Sequence, residues 1–368
     1  LFRSGVWTLT LVSNKNIEFL AHASGGTGVL DLRDVNTDLA AAGSSLRVTG
    51  VNGSGFNKKT DSSTGFSTQT GLTEVYLPEE CVNFGQMAFM YAEALEKVVL
   101  SSQMEDFANT HAFSVCNSLK TVSYNGVEAE EGVVRFPSSV TYLANNTFET
   151  QGNNGITKII APGVKKIGSS AIRQLYKLES VEFSPDFEGF DSNSGQFAFY
   201  QSGKDAPNGM TISPAKWNGP AKLHSDGDTF WNSGLTTHLD FSNGTFDVLP
   251  RRFFLSAAKC PGVTLPATVT TLQNESLNKM AAGATIRFCG DVPGTVGGSG
   301  QYQPLYTTSD NNRYKIVVDA AKYSDWIDPD KGFSEYTGTG TELDYPTGET
   351  VLGWTTFASG GRKPNRSQ

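Results

Sequence analysis

A short pattern of alternating apolar residues recurs through the middle of the chain. Residues 72–77 read LTEVYL and residues 95–100 read LEKVVL, so apolar side chains stand at every second position towards the end of each segment. Successive side chains of a β-strand point to opposite sides, and Val75 and Leu77 therefore face the same way. This alternation predicts short strands that bury one face.

The predicted strands return at a nearly constant distance along the chain. Their last residues are Leu77, Leu100, Phe136, Ala161, Phe183, Ile212, Phe241 and Leu265, at steps of 23, 36, 25, 22, 29, 29 and 24. A short period with occasional insertions is typical of a solenoid, because extra residues loop out of one turn without disturbing the stack. The longest step holds a further strand at residues 122–124 followed by Asn125-Gly126, and this turn signal predicts a small protruding hairpin.

Phenylalanine recurs in the segments between the strands. No single turn of this length buries its apolar face alone, so neighbouring turns must stack into one continuous apolar column. We expect the side of the column opposite the strands to be filled by Phe89, Phe113, Phe148, Phe199, Phe230 and Phe254.

The segments between the strands also carry a second recurrent pattern. Residues 112–119 read AFSVCNSL and residues 164–172 read VKKIGSSAI. With the strands they resemble the BspA-like class of leucine-rich repeats, whose pattern is L-x-x-V-x-L-P-x-x-V-x-x-I-G-x-x-A-F-x-x-C-x-x-L, over about residues 70–290. The resemblance implies a β-rich α/β solenoid, a right-handed superhelix with parallel strands on the concave face and short helical or irregular turns on the convex face. It also implies adhesion or ligand binding at a bacterial cell surface.

Four segments follow from these patterns. We expect residues 1–70 to form a strand-rich N-terminal cap with one degenerate repeat, and residues 71–290 to form the solenoid. Residues 291–336 predict a strand-plus-helix C-terminal cap, which the resembling family also has, and residues 337–368 form a tail for which no structure is predicted. Caps are needed because an open solenoid end exposes its core and an unpaired strand edge.

The composition narrows the functional classes. Charged residues make up 18% of the chain and aromatic residues 11%, which argues against disorder. A formal net charge of −8 argues against a nucleic-acid partner, because nucleic acids select basic surfaces. No apolar run approaches the roughly 18 residues of a membrane span.

The chain begins at Leu1 rather than at Met. The sequence leaves open whether a signal peptide or a lipid-anchored segment preceded it, and the family resemblance implies an exported protein that is secreted or held at the cell surface. We also expect the protein to be a monomer.

The sequence carries no recognisable catalytic pattern. The four histidines are scattered without metal-ligand spacing, and no G-x-S-x-G motif occurs, so we expect no catalytic residue, metal or cofactor. Cys81, Cys116 and Cys260 occupy apolar positions of the repeat, and we expect them to be buried and unpaired. The enzymatic alternative is a polysaccharide-acting enzyme on a parallel β-helix-like scaffold, which would need clustered carboxylates or basic residues on one face.

The outward strand positions are the candidate ligand-binding residues, because side chains on a rigid sheet lose little entropy on binding. On the expected concave face they are Tyr76, Lys97, Val99, Lys158, Ile160, Glu182, His238, Asp240 and Arg287. Val99 and Ile160 are apolar where no core requires it, and they are either exposed contacts or covered by neighbouring loops or by the 125–135 hairpin.

The expected partner is a protein or a glycan at the cell exterior. Glycan capture on this scaffold would use exposed aromatic side chains, and Tyr76 and Trp217 are the candidates by sequence position. The simpler prediction for Trp217 is a wedge that packs against an enlarged turn.

Overall fold

The computed structural model of the chain divides into two compact units, Leu1–Ser184 (unit 1) and Pro185–Gln368 (unit 2). The described residues are 2–4, 7–14, 17–24, 28–51, 71–105, 111–150, 152–153, 155–191, 194–298, 300–302, 304–305, 314–322, 325–326 and 349–353. Short strands and turns dominate both units.

Unit 1 consists of short strands joined by turns, together with the helix α1 (Val35–Ala41). In chain order its strands are β1 (Phe2–Ser4), β2 (Trp7–Asn14), β3 (Ile17–Ser24), β4 (Gly28–Asp31), β5 (Gly50–Val51), β6 (Leu72–Tyr76), β7 (Asn83–Phe84), β8 (Lys97–Leu100), β9 (Thr121–Tyr124), β10 (Val133–Arg135), β11 (Tyr142–Leu143), β12 (Lys158–Ala161), β13 (Lys166–Ile167) and β14 (Ser180–Phe183).

The main sheet of unit 1 is parallel throughout. Its strands lie in the order β14-β12-β10-β9-β8-β6-β4. The register places Val75, Val98 and Val122 side by side, and all three are fully buried. At the N-terminal end, β1, β2 and β3 are antiparallel, and β3 pairs in parallel with β5.

Unit 2 repeats the parallel arrangement. Its strands are β15 (Gly189–Phe190), β16 (Thr211–Ser213), β17 (Leu239–Asp240), β18 (Val248–Leu249), β19 (Gly262–Leu265), β20 (Thr271–Leu272), β21 (Thr285–Phe288), β22 (Thr295–Val296), β23 (Lys315–Asp319) and β24 (Glu349–Gly353). Strands β17, β19, β21 and β23 form a parallel sheet, and β18, β20 and β22 form a second parallel ladder. The last strand, β24, pairs antiparallel with β23 and lies in the tail for which the sequence predicts no structure. The chain is therefore a parallel-strand β-solenoid with little helix, which confirms the predicted fold.

The predicted hairpin after residues 122–124 is wrong. Strand β10 pairs in parallel with β9, with Val134 opposite Val122, so the two strands are not the arms of a hairpin. The turn at Asn125-Gly126 exists, since Val127 N donates to Tyr124 O at 3.0 Å. After this turn, the chain runs back to the end of the sheet at which β9 begins, and β10 starts there in the same direction as β9.

The predicted phenylalanine column is confirmed in both units. Phe113 stacks on Phe89 with ring centroids 5.3 Å apart and on Phe148 at 5.4 Å. In unit 2, Phe230 stacks on Phe199 at 5.0 Å and on Phe254 at 5.1 Å. All of these rings are fully buried. Such pairs contribute about 0.5–1.5 kcal/mol each beyond the burial of their area.

The turn that carries each phenylalanine has a distinctive main chain, which we call the turn ladder. Met87 and Tyr91 flank Phe89 with φ angles of 60° and 63°, a left-handed conformation that is uncommon outside glycine. The N–H groups of Phe89 and Tyr91 donate to the carbonyls of Ala112 and Ser114 in the next turn, both at 2.9 Å. Paired left-handed residues four apart recur at 111 and 115, 170 and 174, 197 and 201, 228 and 232, 252 and 256, and 275 and 279.

Candidate functional site

The outward face of each sheet is the side away from the apolar column, and strand alternation decides which side chains it carries. In β6 and β8, Val75 and Val98 point into the column, so Glu74, Tyr76 and Lys97 point outward and are partly exposed. The parallel register places Glu74 beside Lys97. Side chains from successive turns are thereby brought within contact distance.

Tyr76 is the centre of a bonded group of side chains in unit 1. Its hydroxyl donates to Glu74 Oε2 at 2.6 Å and accepts from Lys97 Nζ at 2.9 Å. Lys97 Nζ and the Arg33 guanidinium lie 5.0 Å and 4.7 Å from the centre of the Tyr76 ring, within the range of cation–π attraction. The Arg33 guanidinium therefore packs against the ring, and Lys97 lies at its hydroxyl edge.

Arg33 reaches Tyr76 from the turn after β4. Its guanidinium hydrogen-bonds Asp31, with Nε 2.9 Å from Oδ1, and this contact holds the pKa of the Asp31 carboxyl below its usual range. Asp31 lies opposite Tyr76 in the register of β4 and β6. The Tyr76 group thus contains two carboxylates and two cations that balance one another.

The centre of the outward face of unit 1 is covered. Val99 is only 7% exposed, so it is a buried residue. The alternative that it is an exposed ligand contact is therefore wrong. Its neighbours Thr121, Ser123 and Val133 are buried too, although their strand positions point outward. The cover is the connection between β9 and β10, because Thr121 Oγ1 donates to the carbonyl of Glu130 at 3.2 Å.

A second group lies beyond this cover. Lys158 Nζ is 2.6 Å from Glu182 Oε1, which joins β12 to β14. Ile160 lies opposite Glu182 in the register and is half-buried, so it keeps an apolar surface at an outward position. These three candidate residues are therefore neighbours on one patch.

The candidate residues of unit 2 also form one group. Asp240 lies opposite Thr264, which in turn lies opposite Arg287. A hydrogen bond of 3.0 Å joins His238 Nε2 to Thr264 Oγ1, and Gly262 leaves room for the ring, since a Cβ there would lie 2.9 Å from His238 Nδ1.

The surroundings of His238 favour the uncharged form of its imidazole. Burial lowers its pKa, and the positive charge of Arg287 adds to this effect, while the carboxylate of Asp240 opposes it. A neutral imidazole both donates and accepts a hydrogen bond. The group therefore offers a neutral imidazole, a carboxylate and a guanidinium side by side, a set suited to hydrogen bonding with a polar ligand.

Trp217 is not on either outward face. It is fully buried and packs edge-to-face against Phe187, Phe190 and Phe241 at centroid distances of 4.8, 5.4 and 4.9 Å. Its Nε1 donates to the carbonyl of Pro214 at 3.1 Å. The prediction of a wedge against an enlarged turn is confirmed.

The cysteines behave as small core residues. Cys81, Cys116 and Cys260 are buried and free, as predicted. Burial raises the pKa of all three thiols, that of Cys260 to about 12. Within the described ranges, no group of His, Cys, Asp and Glu is arranged to hold a metal ion. The helices there are also too short or too polar to cross a membrane.

Four residues of these groups are missing from the sequence-based candidates: Asp31, Arg33, Glu74 and Thr264. Asp31 and Arg33 fall in the segment interpreted as a cap, although the alternation of Leu30, Asp31 and Leu32 is the signal that places Asp31 outward. Thr264 stands at an outward position of β19, but a threonine there suggests nothing until His238 is seen to bond it.

Comparison with known proteins identifies the repeat. The family model described as the BspA type leucine rich repeat region matches residues 58–131 and 132–204, with 6 copies. No curated protein matches the chain significantly.

Three solved structures align with most of the chain. One is a leucine rich cell surface protein from Faecalibacterium prausnitzii, with 13% identity, 78% of this chain and 88% of that chain covered, and a TM-score of 0.38. Another is a leucine-rich repeat protein from Bacteroides ovatus, with 14% identity, coverage of 86% and 99%, and a TM-score of 0.32. The third is the pneumococcal vaccine antigen PcpA, with 12% identity, coverage of 89% and 95%, and a TM-score of 0.31.

Proposed function

Because the chain carries BspA-type leucine-rich repeats over residues 58–204, we propose that it is a non-enzymatic, monomeric binding protein of the cell exterior. It is secreted or held at the cell surface, and it adheres to a host protein through the outward faces of its strands. The extracellular location rests on the family resemblance of the repeat. The binding role rests on the state of the outward side chains.

The observation that carries the binding role is that these side chains are already fixed by one another. Tyr76 is bonded to both Glu74 and Lys97, and His238 is bonded to Thr264. Side chains that are ordered before a partner arrives lose less conformational entropy on binding. A rigid sheet with bonded polar groups is therefore a favourable surface for a specific ligand.

The surroundings of the aromatic residues favour a protein ligand over a glycan. Stacking against a sugar needs a ring with an open face. Trp217 is fully buried and out of reach of a sugar. Tyr76 is already engaged, because the Arg33 guanidinium packs against its ring and its hydroxyl is bonded to Glu74 and Lys97.

The pairing of charges favours binding over polysaccharide cleavage. A cleaving enzyme needs an acid and a base that are free to exchange protons with the substrate. In unit 1, the outward carboxylates of Glu74 and Glu182 are paired with Lys97 and Lys158. Paired charges of this kind position and recognise a partner rather than transfer protons.

A binding screen of the full chain tests this function. We expect the purified protein, applied to an array of host matrix proteins and glycans, to bind at least one protein. Binding to glycans alone would contradict the choice of ligand, and turnover of a polysaccharide by the purified protein would contradict the non-enzymatic role.

A matched pair of substitutions tests the surface. Lys158→Met removes the ion pair with Glu182 on the outward face, and Arg173→Met removes the ion pair with Glu149 at the turns, each pair being 2.6 Å in length. We expect Lys158→Met to weaken binding of the protein found in the screen by about tenfold, and Arg173→Met to leave it unchanged. Equal effects of the two substitutions would place the binding surface elsewhere.

A further inference from the structure

The connection between β9 and β10, residues 125–132, forms a strap with a turn at each end. Val127 N donates to Tyr124 O at 3.0 Å, and Val133 N donates to Glu130 O at 3.2 Å. Gly126 and Gly132 occupy the third position of these two turns, each with φ of 82°. A type II turn requires a positive φ at that position, which glycine adopts without strain. Each end of the strap is therefore a glycine turn, the kind of position at which a loop can pivot.

The strap lies flat on the sheet with its apolar side down. Val127 and Ala129 are half-buried, whereas Glu128, Glu130 and Glu131 are exposed. This is the alternation of an extended segment that contacts a surface with every second side chain. The strap therefore occupies the outward face as an extended peptide ligand would occupy it.

The outward side chains beneath the strap, which we call the strip, lie between two groups of candidate residues in unit 1. These are the Tyr76 group and the patch of Lys158, Ile160 and Glu182, which we call the Lys158 patch. The register runs from Tyr76 to Val99 and Ser123 on one side. It continues across β10 to Ile160 on the other. With the strap in place, the Tyr76 group and the Lys158 patch are separated. Without it, one row of outward side chains would run across the sheet.

One covered side chain lacks a partner while the strap is closed. Ser123 is only 2% exposed, and its hydroxyl has no hydrogen-bond partner. A buried polar group without a partner disfavours the state in which it is buried. In the open state, water or a ligand could bond the Ser123 hydroxyl, so this residue favours opening.

We propose that the strap is a hinged cover that acts as an internal occupant of a ligand-binding strip, and that an extended peptide segment of the protein ligand replaces it. The peptide would carry small apolar side chains at alternate positions, as Val127 and Ala129 do in the strap. Opening exposes Val99, Thr121, Ser123 and Val133 and makes the outward face of unit 1 continuous. This inference rests on the proposed function for the identity of the ligand, but opening itself is a property of the free protein.

Thiol labelling of the free protein tests the opening. Ser123→Cys places a thiol beneath the strap, and Cys289→Ser in the same chain removes the one partly exposed native thiol. The buried Cys116 then reports unfolding of the turns around it, because thiols react only when they reach solvent as thiolates. We expect the thiol at position 123 to be labelled about 100-fold faster than Cys116, and more slowly than an unprotected thiol, as local opening requires.

Equal labelling of position 123 and Cys116 would mean that the strap opens only when the protein unfolds, and would overturn the proposal. Labelling at the rate of an unprotected thiol would also overturn it, because the strap would then cover nothing. Hydrogen exchange of the unmodified protein provides a second measurement. The Val127 amide should exchange faster than the Val98 amide, and equal rates would likewise contradict the hinge.

A matched pair of threonine substitutions tests whether the strap governs the labelling. Thr121→Val removes the hydrogen bond to Glu130 O, and Thr268→Val removes a similar bond to Phe246 O in unit 2. We expect Thr121→Val to accelerate labelling at position 123 several-fold, and Thr268→Val to leave the rate unchanged. Equal effects would contradict a role for the strap bond.

The bound protein ligand separates this inference from the proposed function. We expect a ligand found in the screen to slow labelling at position 123, because the peptide covers the strip, and to accelerate exchange of the Val127 amide, because the strap is displaced. Slower labelling without faster Val127 exchange would mean that the ligand holds the strap closed, and no change in either rate would place the ligand elsewhere. Either result would overturn the strip as the binding site and leave the binding function intact.

Discussion

Val99 and Ile160 are two apolar side chains at outward strand positions, with different surroundings. Val99 lies beneath the strap and is buried, whereas Ile160 lies beside the Lys158–Glu182 pair and is half-buried. A β-branched apolar side chain at the same position of the repeat is therefore a packing residue in one turn and a surface residue in another.

Aspartate at each position distinguishes these two roles. Val99→Asp buries an unpaired carboxylate, and we expect it to lower the free energy of unfolding by about 3 kcal/mol. Ile160→Asp should lower it by less than about 1 kcal/mol, because solvent reaches the new charge, but it should weaken ligand binding. Chemical denaturation and the binding assay measure both, and a large loss of stability in Ile160→Asp would show that Ile160 is a packing residue.

His238 gives the stability of the protein a dependence on pH. Burial holds its pKa below the ordinary value of 6.5, so the unfolded chain binds a proton more readily than the folded one. Stability from this group is present above that value and falls as the pH drops through it. We expect denaturation midpoints to decrease below about pH 6.5, and His238→Gln to reduce the decrease.

His111 provides the comparison for this experiment, since burial also lowers its pKa. His111→Gln should remove a separate share of the pH dependence. An unchanged pH profile in His238→Gln would show that the His238 imidazole titrates alike in the folded and unfolded chain.

At the scale of the element, the strands and the phenylalanine column could be predicted because their signals are local and repeated. Alternation fixed the direction of Val75 and Val98, and the recurrence of phenylalanine fixed the column. The path of residues 125–132 could not be predicted. Asn125-Gly126 gives the same turn signal whether the chain forms a hairpin or returns across the sheet. The three residues of β10 do not indicate whether the strand pairs in parallel or antiparallel.

The outward placement of the candidate residues was predictable to the same degree. Outward positions followed from alternation, so His238, Asp240 and Arg287 could be named although they stand on different turns. Their contacts depend on the register between turns, which insertions of unequal length conceal. The role of Thr264 and the approach of Arg33 to Tyr76 therefore emerged only from the structure.

Phe113 is the central ring of the phenylalanine column in unit 1, and we expect it to contribute a large share of the packing of that column. Phe113→Ala removes a buried ring that is stacked on Phe89 and Phe148, and we expect a loss of about 3–5 kcal/mol in the free energy of unfolding. Phe197→Ala is the control, because Phe197 is only half-buried and should lose much less. Urea denaturation measures both, and equal losses would contradict the importance of the column.

At the scale of the whole molecule, each turn bonds chiefly to the turns before and after it. Main-chain bonds of the turn ladder link Phe89 to Ala112 and Phe113 to Thr147, both at 2.9 Å. In such an arrangement stability is a sum of nearest-neighbour terms, and damage remains local.

Hydrogen exchange of Phe113→Ala tests this locality. We expect faster amide exchange in the turns that carry Phe89, Phe113 and Phe148. The turns that carry Phe199 and Phe230 should keep their protection, because they share no stacked ring with the altered position. A uniform increase across both units would show that the solenoid unfolds as one cooperative block.

The turn ladder bears on how chains with this repeat can evolve. Its bonds join main-chain groups, and its paired left-handed positions hold residues as unlike as Met87, Tyr91, His111 and Val115. A gene that duplicates or loses one whole turn therefore leaves the bonding at the new junction unchanged. Surface side chains can also mutate without altering that bonding. We therefore expect chains with this repeat to differ in the number of turns and in their outward side chains, while the main-chain bonding between turns stays the same.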